Sequence, residues 1–409
     1  MAEVKPEVET FAKIKVAGVG GSGGNAITRM IECKLTGVDF VAINTDAQDL
    51  HACAASEKIH IGKNLTRGLG AGMNPELGRQ AAEENRDEIQ EAFKGCDMVF
   101  VVYGAGGGTG SGAGPVVAEA AREAGALTVG VATKPFTFEG KQRMVIAEES
   151  LENLKDRVDT SITVQNDKLL QIVDRQTSLL NAFRIVDDVL RQGVQGISDL
   201  ITKPGIINVD FADIKSVIQD SGSALMGVGV ASGEDRAQKA AKQAISSPLL
   251  DVSVNGAKGV LFNITGGVDL TMMEINEAAG LITENIDPNA RIIFGAASDE
   301  TVKKDEIKIT VVATGFNKNG ASLNDFSEDS DSEKSIFEKD DEFKRNKISS
   351  FGDDDLSLDE KSNDFGRDNK FKNEDRDLET KSFGVEESPL DDLDDDIEIP
   401  AFIRKKMGK

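Results

Sequence analysis

Three glycine-rich segments in the first third of the chain hold the residue types best suited to chemistry. They read GVGGSGG at Gly18–Gly24, GLGAGMNP at Gly68–Pro75 and GAGGGTGSGAG at Gly104–Gly114. Glycine leaves backbone N–H groups uncovered. Where such a run opens a helix, the unpaired amides and the helix dipole attract an anion. The chemistry implied is phosphate binding. The first segment fits G-x-G-x-x-G, and Asp46 closes the next apolar run, as in a dinucleotide-binding turn with its ribose acid. An NAD-dependent oxidoreductase is therefore one reading. It accounts for one glycine turn of three, and the two histidines, His51 and His60, sit in no hydride-transfer setting. Several loops converging at strand ends suit a mononucleotide with a long phosphate chain better. No G-x-x-x-x-G-K-[ST] occurs. Without that lysine, backbone amides, helix dipoles and a bound cation, Mg2+ by expectation, must offset the phosphate charge.

Such loops need strands and helices to hold them. Apolar runs at Lys13–Ala17, Val38–Ile43, Met98–Val102 and Leu127–Ala132 alternate with helical patterns from Phe11 to about Leu180. One of those patterns covers Glu76–Phe93, behind Asn74 and Pro75. The alternation predicts a parallel sheet covered by helices on both faces. The run Asp97–Tyr103 leads through the third glycine segment into a helix predicted over Pro115–Gly125, with Pro in its first turn. Between Ser178 and Thr202, the residues Phe183, Val186, Leu190, Val194, Ile197 and Ile201 recur at three- and four-residue spacing. That is one apolar face of a long helix, stopped by Lys203-Pro204-Gly205. Strands near Ala224–Ala231, Val260–Thr265, Arg291–Ala297 and Ile307–Ala313, with helices near Phe211–Gln219, Glu234–Ile245 and Leu270–Asn285, predict a second α/β unit.

Six segments follow: a flexible arm at 1–10, a nucleotide-binding domain at 11–177, a central helix at 178–203, a second domain at 204–316, a disordered acidic linker at 317–390 and a terminal docking peptide at 391–409. The net charge of −24 argues against a nucleic-acid surface. Half of it lies beyond Phe316, where 28 acidic and 16 basic residues dominate and no periodic apolar face survives. The last stretch, Asp394–Lys406, runs from acidic through Ile397, Ile399, Phe402 and Ile403 to a basic end, the pattern of a peptide that folds on a partner. Cys33, Cys53 and Cys96 have no metal-ligand spacing. A charged N-terminus and the lack of a transmembrane-length apolar run predict a cytoplasmic protein without direct membrane insertion.

The order of motifs resembles the tubulin/FtsZ GTPase family over about residues 11–316. The matching segments are Gly20–Asn25, Asn44–Asp46, Gly70–Gly72 with Asn74-Pro75, the GGGTGSG run at Gly106–Gly112, Thr133–Glu139 and Asn208–Asp213. The resemblance implies a tubulin-like, Rossmann-type GTPase domain joined by the central helix to a second α/β domain, with a disordered acidic tail. It places GTP or GDP on these loops. Gly20, Gly21, Gly107, Gly108, Thr109 and Gly110 would bind the phosphates, Glu139 the ribose hydroxyls, and Arg143 the ribose and phosphate. Asn25, Asn166 and Asp187 would read guanine, with Phe183 against its face. Gly23, Gly24 and Asn44, then Gly70, Ala71 and Gly72, then Gly104, Gly106, Ser111 and Gly112, and finally Pro135, would complete the site. The chemistry of one role is plain: a carboxylate accepts from guanine N1–H and N2–H2, a donor pair that adenine lacks. Asp188 follows Asp187, and the sequence does not choose which faces the base. Tyr103, the only tyrosine, and Ala105 stand where the family pattern leads one to expect Ala and Met.

No acid or base for hydrolysis is evident among these loops. Asp210 and Asp213 suit the N-cap and first turn of a helix starting at Phe211. The resemblance gives them another role. They would polarise the attacking water in the neighbouring subunit's site, with Asn208 positioning it, within a head-to-tail homopolymer. No residues are assigned to the metal. The resemblance further implies a cell-division ring at mid-cell, with membrane-tethering and regulatory division proteins docking on the terminal peptide.

Overall fold

The computed structural model describes residues 12–170, 177–203, 205–246, 256–284, 286–298, 302–303 and 305–316. The expected arm at 1–10, linker at 317–390 and terminal peptide at 391–409 lie outside them. Strands β1 (Ile14–Val19), β2 (Asp39–Asn44), β3 (Glu57–His60), β4 (Met98–Gly104), β5 (Leu127–Lys134) and β6 (Thr160–Gln165) pair in parallel in the order 3-2-1-4-5-6. That is the doubly wound arrangement, with its switch point between β1 and β4. The second half adds β7 (Gly222–Ser232), β8 (Gly259–Gly266), β9 (Arg291–Ser298) and β10 (Glu306–Thr314). Here β10 runs antiparallel between β7 and β8, and β9 lies parallel beside β8. A short parallel pairing of β6 with β7, from Thr160 opposite Gly222 to Ile162 opposite Ala224, makes one ten-stranded sheet.

β4 reads as a continuous apolar run because helices cover both of its faces. On one face Val16, Phe100 and Val129 pack with Leu190, Val194 and Ile197 of the central helix, Leu179–Thr202, and with Met226, Leu261 and Val312 from the second half. The central helix lies so close to β10 that a Cβ at Gly196 would sit 2.5 Å from Thr310 Cγ2. On the other face Val101 and Tyr103 pack with Val117, Ala121 and Leu154.

β3 and β6 carry little apolar signal. β3 is EKIH, and β6 buries Thr160 and Ser161, the Thr160 hydroxyl donating to the Ile218 carbonyl at 2.6 Å. The helix expected over Glu76–Phe93 is two helices, Pro75–Glu84 and Arg86–Phe93. They break at Asn85, whose side chain accepts from the Gly62 amide at 2.9 Å. The helix expected to begin at Pro115 begins at Thr109, which leaves Pro115 inside it. Six residues of glycine motif are therefore helical, because helix-on-helix contact replaces what glycine lacks in propensity. A Cβ at Gly112 would lie 1.9 Å from the Pro75 carbonyl oxygen of the neighbouring helix.

Candidate nucleotide site

The helix Gly20–Glu32 starts directly at the end of β1, and the helix Thr109–Glu123 starts shortly after the end of β4. Their N-termini meet at the switch point. Gly20 has φ +70°, and a Cβ there would lie 3.0 Å from the Gly110 nitrogen. The two first turns thus bring their unpaired N–H groups together, which makes an anion cradle from backbone alone. The Gly70–Gly72 loop closes over it: a Cβ at Gly108 would lie 2.2 Å from the Gly72 carbonyl oxygen. The Thr109 hydroxyl hydrogen-bonds that of buried Thr45 at 2.6 Å.

These elements surround a cleft of about 650 Å³, of a size that suits a small ligand. Of the expected residues, Gly20, Gly21, Asn25, Asn44, Gly70, Ala71, Gly72, Gly104 and Gly107 through Gly110 line it. Pro135, Glu139, Arg143, Asn166, Phe183 and Asp187 line it as well. Gly23, Gly24, Gly106, Ser111 and Gly112 do not. Their places are structural. Gly23 lets the helix Gly20–Glu32 pack closely on the sheet, a Cβ there lying 2.5 Å from the Val102 carbonyl oxygen of β4. Gly24 faces Cys53, and Gly112 faces the Pro75–Glu84 helix. The Gly106 amide donates to the Ser111 hydroxyl at 2.8 Å, which ties the two ends of the loop.

On the cleft wall, Glu139 accepts from the Phe136 amide at 2.9 Å and from Arg143 Nη1 at 2.8 Å. Each carboxylate oxygen keeps a lone pair for a hydroxyl donor. Phe183, also on the wall, is held edge-on by Phe136, with ring centroids 5.6 Å apart. Asn166 is buried, and its Oδ1 has no hydrogen-bond partner among the described residues. Asp187 lines the cleft, whereas Asp188 accepts from Arg191 Nε at 2.7 Å and Gln192 at 2.8 Å. Helical rotation thus separates the two carboxylates that sequence left open. Burial pushes the Asp187 carboxyl up to about 6, with Arg29 opposing and Asp188 adding to the rise. Burial acts the same way on Asp188, but its bonds to Arg191 and Gln192 outweigh it and hold that carboxyl below its usual value.

Cleft residues not among the expected ligands include Asp46 and Asp49. Asp46 caps the helix Ala47–Ala52 through the Gln48 and Asp49 amides, and Asp49 accepts from Asn44 Nδ2 at 2.8 Å. The D-x-x-D spacing after Asn44 was the available signal. Tyr103 is fully buried beneath the loop, and Ala105 lines the cleft.

Asn208, Asp210 and Asp213 are not in the cleft. They follow the far end of the central helix, and about 22 Å of helix separates Asp187 from Thr202. Asn208 Oδ1 accepts from the Gly205 amide at 2.7 Å, and a bridge from Ile207 to Ala296 pins the segment to β9. Asp210 occupies the N-cap of the helix Phe211–Ile218 without a side-chain capping bond, and both aspartates are exposed. Capping therefore does not employ the Asp210 carboxylate. Among the described residues no helix is long and apolar enough to cross a membrane.

A doubly wound sheet with two glycine-built helix N-termini at its switch point and a cleft above them defines a protein of tubulin-like architecture. The tubulin/FtsZ family GTPase domain matches residues 13–174, and the FtsZ family C-terminal domain matches residues 222–317. An FtsZ dimer from M. jannaschii shares 48% identity, covering 75% of this chain and 89% of that one, with a TM-score of 0.72. A second FtsZ structure from M. jannaschii gives the same identity and TM-score and is covered over 92% of its length. A GTPγS-bound CetZ2 protofilament from Haloferax volcanii, at 22% identity, covers 75% of this chain and 94% of its own and shares the fold, with a TM-score of 0.64. The chain belongs to the FtsZ family of tubulin-like GTPases. Guanine-nucleotide binding, GTP hydrolysis and a place in the cell-division cytoskeleton come with that membership, and the oxidoreductase reading has no support.

Proposed function

We propose that this protein is a GTP-driven filament former whose subunits stack head to tail, each completing its neighbour's hydrolytic site, and that the filaments build the division ring at mid-cell. The observation that carries this reading is the placement of Asp210 and Asp213. They are exposed and at the opposite end of the central helix from the cleft, so they cannot reach a nucleotide bound in their own chain. In a heterologous, non-closing contact the same carboxylates would face the next subunit's phosphates. There they accept a hydrogen bond from the attacking water, and Asn208 holds it in line.

The fitted roles within the cleft follow the donors. Helix N-termini hold the phosphates, Glu139 and Arg143 the ribose, Asp187 and Asn166 the guanine edge, and Phe183 its face. Of the four carboxylates lining the cleft, Asp46 and Asp49 lie outside the base and ribose positions. They fit Mg2+, which takes one or two carboxylates beside phosphate oxygens and would neutralise charge building on those oxygens.

Turnover per subunit is expected to rise from near zero above a threshold protein concentration, with filaments visible by electron microscopy in GTP and sparse in GDP. A specific rate that stays constant down to monomeric dilution would refute the shared site. The terminal peptide, Asp394–Lys406, is proposed to dock on a membrane tether and other division proteins. Deleting residues 391–409 should spare filaments in vitro and abolish recruitment to the membrane, and retained recruitment would remove this role.

A further inference from the structure

Pro115 lies inside the helix Thr109–Glu123. A proline has no N–H, so the carbonyl four residues earlier, on Ser111, loses its helical donor. That carbonyl is in the first turn, beside the residues that line the cleft, and Ser111 is buried. An unpaired acceptor there would loosen the turn that must hold phosphate.

The structure supplies a replacement. Ser150, buried on the helix Lys141–Lys155, donates its hydroxyl proton to the Ser111 carbonyl at 2.9 Å. With its single proton committed, Ser150 Oγ must accept at its other contact, which is the Tyr103 hydroxyl at 3.1 Å. Tyr103 therefore donates, and the order of the chain is fixed: Tyr103 to Ser150 to the Ser111 carbonyl. The Ser111 hydroxyl in turn accepts from the Gly106 amide. Burial of Tyr103 pushes its hydroxyl well above the usual value, so it stays protonated as a donor.

The surroundings are shaped for this chain. A Cβ at Gly114 would lie 2.7 Å from Tyr103 Cε1, so the ring fits only against glycine. The helix that carries Ser150 also carries Arg143, and a Cβ at Gly106 would lie 3.0 Å from the Arg143 carbonyl oxygen. Phosphate loop and ribose-side helix are thus joined through two hydroxyls.

We propose that Ser150 and Tyr103 are positioning residues for the phosphate loop, replacing the hydrogen bond that Pro115 removes. The proposal rests on the cleft being the GTP site, which titration of the unaltered protein tests in the same series.

The experiment measures the GTP dissociation constant and the thermal midpoint of the full chain below its assembly threshold. Ser150→Ala is expected to weaken GTP binding about tenfold, the worth of one buried hydrogen bond and its orphaned acceptor. Tyr103→Phe, which keeps the ring, is expected to weaken it about threefold. Adding Pro115→Ala to Ser150→Ala returns an N–H to Ser111 and should recover most of the affinity. A role in stability alone would lower the thermal midpoint and leave the dissociation constant unchanged at low temperature. Wild-type affinity in Ser150→Ala overturns the proposal, as does a weakening that Pro115→Ala fails to reverse. Should Ser150→Ala not fold, Tyr103→Phe decides, and wild-type affinity there overturns it equally. If the unaltered chain binds no GTP, the reading of the cleft itself falls.

Discussion

Asp213→Ala is expected to bind GTP with unchanged affinity and to hydrolyse it about 10²- to 10⁴-fold more slowly, the usual contribution of a positioned base. The affinity should hold because Asp213 is exposed at the far end of the central helix and touches no cleft residue of its own chain. The rate should fall because phosphoryl transfer needs an oriented water, and on the proposed reading the carboxylates lining the cleft are taken up by base, ribose and metal. The fold should tolerate the change, since Asp213 is exposed and its charge near the helix N-terminus is worth no more than about 1 kcal/mol. Equilibrium nucleotide binding and steady-state phosphate release measure the two quantities separately. Wild-type turnover in the variant would remove the catalytic role of this segment.

The second expectation concerns the base. Asp187→Asn should weaken GTP binding about 10²- to 10³-fold, because an amide offers one acceptor and turns its N–H2 toward a donor on guanine. Xanthosine triphosphate, with an oxygen in place of the 2-amino group, should bind the variant better than it binds the unaltered protein. Unaltered preference for guanine would reassign the reader. The pH dependence follows from the same group. Burial pushes the Asp187 carboxyl up to about 6 in the free cleft, and the proposed guanine contact requires its ionised form. Affinity is therefore full above that value and falls as pH drops through it, by up to about tenfold per unit. Asp187→Asn should remove this slope. Mixing the two variants joins both predictions. Asp213→Ala keeps its pocket and Asp187→Asn keeps its loop, so a shared site regains part of the activity in the mixture, whereas a site within one subunit does not.

The phosphate-binding character of the chain was legible in its residues. Glycine before a helix has one efficient use beside a buried strand, and the apolar run of β4 fixed where that strand lies. The long apolar stripe from Phe183 to Ile201 likewise specified the central helix, since its spacing fits no other element. β3 and β6 escaped because buried hydroxyls and charged ends hide them from a hydrophobicity pattern, and their pairing comes from neighbours. Pro115 misled the boundary of its helix because propensity is local, and the packing that supports glycine in that helix is not.

Sequence by itself thus determined the ligand class, the main apolar strands with the central helix, and the family, all of which depend on residue type and short spacing. Only the tertiary structure decided which glycines face the cleft and which admit a neighbouring backbone. It also turned Asp187 toward the pocket and Asp188 toward Arg191, and set Asp210 and Asp213 beyond reach of the nucleotide in their own chain. The physical reason is common to these cases. Reach and direction depend on how helices rotate and pack on the sheet, and packing joins residues far apart in the chain, as Tyr103, Ser150 and Ser111 show.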